Sequence, residues 1–459
     1  MHYKTISDIS DDIRNKKLSP VELTQYMLDR IEEQDGQAKS YVCVTVTRAL
    51  TQAKLAEQEI VRGQWRGPLH GVPIGLKDLL YTKFAPTTGG TLLNKDFTPS
   101  FNATVVDRLE TSGAIVLGKL KTTEQAFTDH HPSVTRPVNP WNAERWSGVS
   151  SSGSGVATAK GLAFATIGSD TGGSIRLPSA ANGLTSIKPT WGRVSRYGVF
   201  PMADSLDHVG PMARNAIDVG IMLNAIAGAD RNDPTASHSP VPDYTADCNK
   251  NIRGLKIGLP ANYVKSGSSA EIADAWMATA KVFESLGATL AVIDYPNCDQ
   301  AINDWSTIAA AETALSHVAS YPAQQDKYGP VLSAFLDIGQ HVSGIDLAAA
   351  SIRRIAFNEQ VNALFQDVQL FLVPVLGGAV PTSDEWLSLA GADFAPYLQY
   401  TIPADMTGGP TMTFPVGFDR NGLPIVMQLC GPNFSEALLC QVIAEFQRLT
   451  DWHTRHPED

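Results

Sequence analysis

The densest group of chemically active residue types lies between residues 147 and 178. This stretch holds ten Ser or Thr and seven Gly among 32 residues, and its apolar residues at 162–165 would not occur in a flexible linker. Gly172 and Gly173 allow a sharp backbone turn that leaves amide hydrogens exposed beside Ser174. Such a group of donors can stabilise an oxyanion. The predicted oxyanion hole is formed by the backbone amides of Thr171, Gly172, Gly173 and Ser174.

A lysine in an apolar strand is the second unusual feature. Lys77 ends the apolar run of the segment PLHGVPIGLKDLL, residues 68–80. Burial of an ammonium group is costly, so a buried lysine tends to be neutral and can act as a base. Lowering a lysine pKa from ~10.4 to ~7 corresponds to roughly 4.6 kcal/mol, and burial alone can supply a shift of that size. The structural alternative is a lysine that reaches solvent from the strand end or pairs with Asp78.

These residue types together predict acyl transfer. A serine hydroxyl is a weak nucleophile until a base takes its proton. Four histidines lie near these segments, but none sits in a recognisable triad motif, and no GxSxG elbow centres on Ser174. Lys77 can serve as the base instead, with Ser150 as a bridge that passes protons between Lys77 and Ser174. Ser174 would attack a carbonyl, Ser150 would protonate the leaving nitrogen, and water would release the acyl-enzyme.

Alternating helices and strands must position these residues. A capping box at residues 19–22, with Pro20 at the first helical position, predicts the first helix. Helix followed by strand, repeated along the chain, favours an α/β fold. Residues 300–366 are predicted to be mainly helical and to form a wall of the substrate pocket. Further predicted helices are 47–62, 104–112, 154–160, 215–227, 271–286 and 436–450, and predicted strands are 72–76, 114–120, a strand ending near 168, 187–189, 255–259, 288–294, 370–374, 410–416 and 424–429.

Composition limits the class of protein. A chain of 459 residues that is 43% hydrophobic and 18% charged is typical of a globular enzyme. It has no run of eighteen apolar residues and no apolar signal core, so we predict a cytoplasmic protein without a membrane span. The net charge of −11 opposes nucleic-acid binding. Five scattered cysteines argue against a disulfide framework or a structural zinc site, and the lack of a GxxxxGK[ST] motif argues against a phosphate-binding loop.

Four segments together resemble the amidase signature family: GVPIGLKDLL, SGVSSSGSG, GSDTGGSIRLP and KPTWGRVSRYGVFPMADSLDHVGPMAR. The similarity extends over nearly the whole chain, and no triad member is missing, which argues against a non-catalytic relative. The resemblance implies a Ser–cis-Ser–Lys triad in which Ser174 is the nucleophile, Ser150 is the bridging serine after a cis peptide bond, and Lys77 is the base. Ser150 is chosen over Ser151 and Ser152 because it precedes Ser174 by 24 residues, as in the family.

The resemblance also implies supporting residues and a fold. Asp170 and Arg176 would hold the Ser-Gly loops, and Ser151 would hold its loop and assist the triad. Val149 departs from the family, where a second glycine is usual, and we expect this change to be tolerated. The implied fold is α/β, with a central, mixed, twisted β-sheet flanked by α-helices on both faces.

The resemblance further implies one amidase-signature domain over residues 1–459, with a mainly helical insertion at about 255–366 that shapes the substrate pocket. We expect no cofactor and no metal, because the implied triad needs neither. The expected partner is a small amide or carbamate substrate, and the expected assembly is a monomer or a homodimer without nucleic acid or membrane.

Members of this family differ in substrate, so the substrate must be argued from the pocket. The closest competing class is the glutaminase subunit of the tRNA-dependent amidotransferase, which holds glutamine with an Arg and an Asp. We place those two positions near Phe335 and Leu398, which are both apolar, whereas a charged ligand group needs a partner. An apolar pocket would accept an aryl or alkyl amide, an anilide or a carbamate, the substrates of the broad-specificity bacterial amidases that the sequence resembles. The predicted pocket residues are Phe127, Trp146, Phe335, Leu398 and Tyr400.

Overall fold

The computed structural model describes residues 1–388 and 395–458. The strands are β1 (Tyr41–Val44), β2 (Pro73–Lys77), β3 (Ile115–Leu120), β4 (Ala165–Asp170), β5 (Thr185–Lys188), β6 (His208–Ala213), β7 (Lys256–Leu259), β8 (Thr289–Val292), β9 (Leu370–Pro374), β10 (Thr411–Phe418) and β11 (Pro424–Cys430). The helices are α1 (Ile6–Arg14), α2 (Pro20–Ala38), α3 (Val46–Val61), α4 (Thr104–Thr111), α5 (Ser152–Ala159), α6 (Arg176–Asn182), α7 (Ala216–Ile226), α8 (Ala261–Gly267), α9 (Ala270–Ser285), α10 (Asp299–His317), α11 (Pro330–His341), α12 (Gly344–Leu364), α13 (Ser383–Ser388), α14 (Ala395–Leu398), α15 (Ile402–Thr407) and α16 (Glu436–Leu449).

The named strands form a single mixed sheet in the order β1-β3-β2-β4-β6-β5-β10-β11-β9-β7-β8. β2 is parallel to both of its neighbours, β3 and β4, and β7 is parallel to β8 and β9. The remaining pairs are antiparallel. Helices pack on both faces of this sheet, so the predicted α/β fold with a central mixed sheet is confirmed.

The central strands place the Ser-Gly segment in the interior. β2, β3 and β4 are buried at every position, as expected for parallel strands that are covered on both faces. α5 follows directly on the serine run and is also buried throughout. Its small residues allow this close packing, because a Cβ on Gly153 would lie 2.5 Å from the Lys121 backbone nitrogen and from the Ser40 carbonyl oxygen. The sequence therefore brings the serine run against the ends of β2 and β4.

Most predicted elements match the structure within a few residues, and several short elements were missed. Ser19 caps α2 by accepting from Val21 N and Glu22 N, which is one half of the predicted capping box. The reciprocal bond from the Ser19 amide to the Glu22 side chain is not formed among the described residues. The prediction that this helix is the first is wrong, because α1 precedes it. β1 is a four-residue edge strand, too short for a clear pattern. β6 contains Gly-Pro, and α6 carries a proline in its first turn, so both resemble turns in the sequence.

The segment at 255–366 combines two kinds of structure. β7 and β8 extend the main sheet by pairing with β9 and with each other, and α10 packs against both α11 and α12. The helical part agrees with the predicted helical content of 300–366, whereas the role of this segment in the substrate pocket stays a prediction. No helix in the described ranges is both long enough and apolar enough to cross a membrane.

Candidate active site

Lys77 is the last residue of β2 and is completely buried. Its Nζ atom donates to Ser150 Oγ at 2.6 Å and to Ser169 Oγ at 2.8 Å. Burial lowers the pKa of Lys77 to about 7, although the carboxylates of Asp170 and Asp207 oppose this shift. The amine can therefore lose its proton near neutral pH and serve as a base.

Asp78, the residue after Lys77, does not form an ion pair with Lys77. Asp78 Oδ1 lies 3.0 Å from the Nζ atom of Lys119, and both side chains are fully buried. Asp78 also accepts from the backbone amide of Thr88 at 3.0 Å. The alternative in which Lys77 is an ordinary lysine that reaches solvent or pairs with Asp78 is therefore wrong.

Ser150 and Ser151 lie in the loop before α5. The peptide bond between Val149 and Ser150 is cis, in agreement with the resemblance. Ser151 joins three segments, because its Oγ donates to the Ser169 carbonyl at 3.2 Å and its amide donates to the Ser174 carbonyl at 3.2 Å. These bonds hold the serine run, the end of β4 and the following turn together.

Ser174 lies in the turn between β4 and α6. It is the only half-buried residue between Ala165 and Asn182, because its neighbours there are all buried. Its hydroxyl has no hydrogen-bond partner among the described residues, so the structure does not join it to Ser150. The structure thus brings Lys77 and Ser150 into contact and leaves the Ser174 hydroxyl free.

Three of the four predicted oxyanion donors are unpaired. Within residues 1–388 and 395–458, no protein group accepts from the backbone amides of Thr171, Gly172 or Ser174. The amide of Gly173, in contrast, donates to Asp170 Oδ1 at 2.6 Å. The prediction that Gly173 is an oxyanion donor is therefore wrong, because its amide hydrogen already bonds to Asp170 and holds the turn.

Asp170 and Arg176 form a buried ionic network beneath this turn. Arg176 Nη2 lies 2.9 Å from Asp170 Oδ1 and 2.7 Å from Asp405 Oδ2, and all three side chains are inaccessible to solvent. Asp170 also accepts from the backbone amide of Ile175 at 2.9 Å. The pKa of Asp170 stays low because Arg176 outweighs the cost of burial, whereas burial and the adjacent Asp170 raise the pKa of Asp405. One guanidinium therefore fixes two carboxyl groups and, through Asp170, the turn that carries Ser174.

Residues 22–440 match the sequence model of the family described as Amidase. This chain belongs to that family. AmiD of Mycobacterium tuberculosis, which bears the provisional name of an amidase, is 42% identical over 458 residues that cover 98% of this chain and 95% of AmiD. A glutamyl-tRNA(Gln) amidotransferase subunit of Coxiella burnetii is 37% identical over 489 residues that cover the whole of both chains. A solved bacterial aryl acylamidase of the amidase signature family superposes with a TM-score of 0.89 at 25% identity, covering 100% of this chain and 99% of the acylamidase.

These matches confirm the resemblance to the amidase signature family, the fold class and the assignment of the chain as an amidase, a hydrolase of amide bonds. The shared family does not by itself decide the substrate, because the relatives carry different names. The pocket of this amidase must therefore be described from its own residues.

Several residues that hold the turn at residues 171–174 of the amidase were not predicted from the sequence. Asp207 accepts from the Thr171 hydroxyl at 2.6 Å, and Trp305 Nε1 donates to the Thr171 carbonyl at 2.8 Å. Thr401 Oγ1 donates to the Gly172 carbonyl at 2.6 Å. Asp207 lies inside a quoted family segment, so it could have been named, whereas Trp305 and Thr401 carry no local signal.

Ser169 was also missed, although it stands in the motif GSDTGGSIRLP beside Asp170. Its side chain alternates with that of Asp170 along β4 and meets the end of β2, which is the adjacent parallel strand. That position makes Ser169 the second acceptor for Lys77. The pairing of β2 with β4 was not part of the sequence prediction, and this missing register is why the contact was not foreseen.

The predicted pocket residues fall into three groups in the amidase. Phe127 and Phe335 stack with ring centroids 4.1 Å apart, and the loop of Phe127 reaches Ser150 through the bond from Thr123 N to Ser150 O at 3.1 Å. Trp146 instead stacks on Trp386 at 4.2 Å.

The other two predicted pocket residues lie at the end of α14 and just beyond it. Leu398 is buried, and its carbonyl accepts from the Thr401 amide at 3.0 Å. The Tyr400 hydroxyl lies 2.8 Å from Ser268 Oγ, so this group bonds toward α8. A role of any of these five residues in substrate binding stays a prediction.

A narrow cavity lies next to the Lys77 partner Ser169. Its lining combines polar side chains with apolar ones, and most of the accessible surface is apolar, so a small, largely apolar group fits its chemistry. The residues that line it are Leu79, Ala126, Ser169, Thr171, Arg196, Val199, Phe200, Pro201, Met202, Asp204, Asp207, His208 and Val209.

Proposed function

We propose that this amidase cleaves the C–N bond of uncharged aryl or alkyl amides, anilides and carbamates through an acyl-enzyme on Ser174. The observation that carries the proposal is the completely buried Lys77 amine, 2.6 Å from Ser150 Oγ and with a pKa of about 7. A lysine in this state can accept a proton at neutral pH. The half-buried, unbonded Ser174 hydroxyl beside three unpaired amides supplies the matching nucleophile and oxyanion donors.

The proposed reaction begins with two coupled proton transfers. Neutral Lys77 accepts the proton of Ser150 while Ser150 accepts the proton of Ser174. Ser174 Oγ then bonds to the carbonyl carbon, and the carbonyl oxygen becomes an oxyanion that the backbone amides of Thr171, Gly172 and Ser174 stabilise. Because catalytic hydrogen bonds often tighten only when substrate binds, rotation of the Ser174 hydroxyl toward Ser150 is expected at this stage.

Collapse of the tetrahedral intermediate breaks the C–N bond. Ser150 gives its proton to the leaving nitrogen and recovers a proton from Lys77, so the amine departs neutral. Water then adds to the acyl ester by the same relay and releases the carboxylic acid and the Ser174 hydroxyl. With a carbamate, loss of the amine leaves a carbonate half-ester as the product acid, which loses carbon dioxide to give the alcohol. If the alcohol leaves first by C–O cleavage, the product is instead a carbamic acid, which loses carbon dioxide to give the amine.

Ser169 orients the base in this scheme. A neutral amine has two hydrogens and one lone pair, and donation of one hydrogen to Ser169 Oγ at 2.8 Å leaves the lone pair available to Ser150. We therefore assign Ser169 as a positioning residue that acts through Lys77.

Replacing Ser169 with Ala should lower kcat/KM about tenfold, because one hydrogen bond to a buried charged group contributes about 1.5 kcal/mol or more. The lost acceptor also stabilised the ammonium form, so the pKa of Lys77 should fall and the acidic limb of the pH profile should move to lower pH. The measurement is the pH dependence of p-nitroanilide hydrolysis. Ser169→Thr keeps the hydroxyl and should keep the profile, whereas an unshifted limb in Ser169→Ala would refute the assignment.

The nature of the pocket supports an uncharged substrate. Phe335 and Leu398, near which we place the two glutamine-holding positions of a glutaminase subunit, are apolar, and the structure buries Leu398 and stacks Phe335 on Phe127. Burying the ammonium and carboxylate of a free amino acid without partners would cost several kcal/mol. An aryl or alkyl group, in contrast, gains free energy from contact with such surfaces. The names of the relatives AmiD and aryl acylamidase are consistent with this substrate class.

A second candidate function is that of a glutaminase subunit in a tRNA-dependent amidotransferase. It is favoured by the 37% identity to the Coxiella burnetii amidotransferase subunit over the whole chain. It is disfavoured by apolar Phe335 and Leu398, near which we place the two glutamine-holding positions. The purified chain alone can distinguish the two, because a glutaminase subunit should prefer glutamine and should depend on partner subunits.

We expect the purified amidase to hydrolyse a p-nitroanilide at least about 100-fold more efficiently than glutamine, since an unpaired buried charge pair costs more than about 2.7 kcal/mol. The measurement is kcat/KM for a primary amide, an anilide, an N-aryl carbamate, an ester and glutamine at equal concentrations. The Phe335→Arg variant provides a matched test, because an added cation should reduce anilide hydrolysis more than hydrolysis of a substrate with a carboxylate. Glutamine hydrolysis faster than anilide hydrolysis would establish the glutaminase alternative instead.

A further inference from the structure

The outer face of α12 carries large apolar side chains in water. Ile345 is 82% exposed, Ile352 is 68% exposed and Ile355 is 71% exposed. The buried residues of the same helix are Ala350, Phe357 and Val361, which lie on the opposite side. Most of the surface of these three isoleucines is therefore in contact with water and not with the described residues.

The exposed residues form a regular seam, which we call the α12 stripe and define as Ile345, Ala348, Ile352 and Ile355. The spacings of three, four and three residues place them on one side of the helix, as at the a and d positions of a coiled coil. Four uncharged residues border the stripe, so helices can approach closely along it. These bordering residues are Ala349, Ser351, Ala356 and Asn358.

The charged residues of this segment are directed elsewhere. Arg353 Nη2 lies 2.6 Å from Asp304 Oδ1 on α10, and Arg354 Nε donates to the Met406 carbonyl at 2.8 Å. At the start of the helix, Asp346 Oδ2 accepts from Ser343 Oγ at 2.6 Å. The four stripe residues are therefore uncharged, and the next residue on the same side of the helix, Glu359, marks the charged end of the stripe.

We propose that the α12 stripe binds the same stripe of a second copy of this chain, with the two helices antiparallel about a twofold axis near residue 350. The four positions pair about residue 350, so that each residue i meets a residue j of the second copy while j meets i, as in an isologous interface. Ile345 would face Ile355 of the partner subunit, and Ala348 would face Ile352 of the partner subunit. Each large side chain at the centre thus meets a small one, so the helices pack without voids or overlap.

Charge favours a second copy over a lipid surface. Two chains with a net charge of −11 each repel one another, and an uncharged contact face brings no like charges together. A helix that binds a membrane surface usually has Lys and Arg along its polar border, whereas the exposed basic residue here, Arg353, is paired with Asp304. Two stripes with their borders bury on the order of 1,000 Å², the lower limit for a specific interface, so a dissociation constant in the micromolar range is expected.

The test is sedimentation velocity of the full chain from about 1 to 200 µM, a range that spans micromolar dissociation constants. We expect a concentration-dependent dimer in the natural protein and at least a tenfold higher dissociation constant in Ile352→Glu. Anilide hydrolysis should not change, because α12 contributes no residue to the proposed mechanism. Leu55→Glu is the matched control, since Leu55 is 54% exposed in the middle of α3 and should leave the dimer intact. A protein that stays monomeric, or a dimer that survives Ile352→Glu, would overturn the proposal.

Cross-linking tests the direction of the helices. In the antiparallel pair, position 345 faces position 355 of the partner subunit, so Ile345→Cys and Ile355→Cys should form a disulfide-linked dimer only when the two variants are mixed. A linked dimer from Ile345→Cys alone would indicate parallel helices and overturn the stated geometry.

Cosedimentation with vesicles of phosphatidylcholine and phosphatidylglycerol tests the lipid alternative. Vesicle binding that Ile352→Glu abolishes would reassign the stripe to a lipid surface.

Discussion

Replacing Ser174 with Ala is expected to abolish anilide hydrolysis, with a loss in kcat of at least about 10⁴-fold, as occurs when a nucleophile of a serine hydrolase triad is removed. No acyl-enzyme can form without the Ser174 oxygen, and the remaining amides can only bind the carbonyl. The variant should fold normally, because the Ser174 hydroxyl makes no hydrogen bond to any described residue. The measurements are the steady-state rate and the melting temperature.

Mass spectrometry provides an independent readout of the same prediction. Rapid mixing with an activated ester should add the mass of one acyl group to the natural protein and none to Ser174→Ala. Ser147→Ala is a matched control, because Ser147 lies in the same Gly-rich stretch and is also without a side-chain hydrogen bond among the described residues. Retained turnover in Ser174→Ala, or an acyl group mapped to another residue, would refute the assignment of the nucleophile.

Replacing Lys77 with Met should reduce kcat/KM by about 10²- to 10⁴-fold, the usual contribution of a general base. In the natural enzyme, kcat/KM should rise with pH and level off above about pH 7, because only the neutral amine accepts a proton and burial lowers the pKa of Lys77 to about 7. The residual kcat/KM of Lys77→Met should not show this rise with pH. The free energy of unfolding should not fall greatly, because Met fills a similar volume and removes the cost of burying the amine.

Lys119→Met is the informative comparison for Lys77→Met. Lys119 is equally buried on the adjacent strand but is ion-paired with Asp78, and breaking a buried pair costs about 3–5 kcal/mol. This variant should therefore lose thermal stability while its folded fraction keeps the pH limb near 7. If Lys119→Met lost the limb and Lys77→Met kept it, the assignment of the base would be wrong.

The local pattern of the sequence contained most of the catalytic proposal. A lysine at the end of an apolar strand and a turn with two glycines before a serine are short-range features, and each restricts the chemistry of its own segment. The resemblance to the amidase signature family connected the two and located the cis peptide bond that the structure has before Ser150. The sequence did not predict how the segments align with one another, so the contact between Lys77 and Ser169 was not foreseen.

The ion pair of Asp78 also depends on strand pairing that the sequence did not predict. Adjacency in the chain suggested a Lys77–Asp78 pair, but successive side chains of a strand point to opposite faces of a sheet. Asp78 instead meets Lys119, 41 residues further along the chain. Only the parallel pairing of β2 with β3 brings those two groups together.

The sequence by itself determined the kind of protein: an amidase signature fold, a hydroxyl nucleophile candidate and an amine base candidate. The tertiary structure alone decided how those groups are paired and which donors remain free. Gly173 is not available as an oxyanion donor, because its amide donates a hydrogen bond to Asp170. Trp305 and Thr401 secure the carbonyls of Thr171 and Gly172 from more than one hundred residues away. Such contacts depend on how distant elements pack and not on local residue preference, so no single segment encodes them.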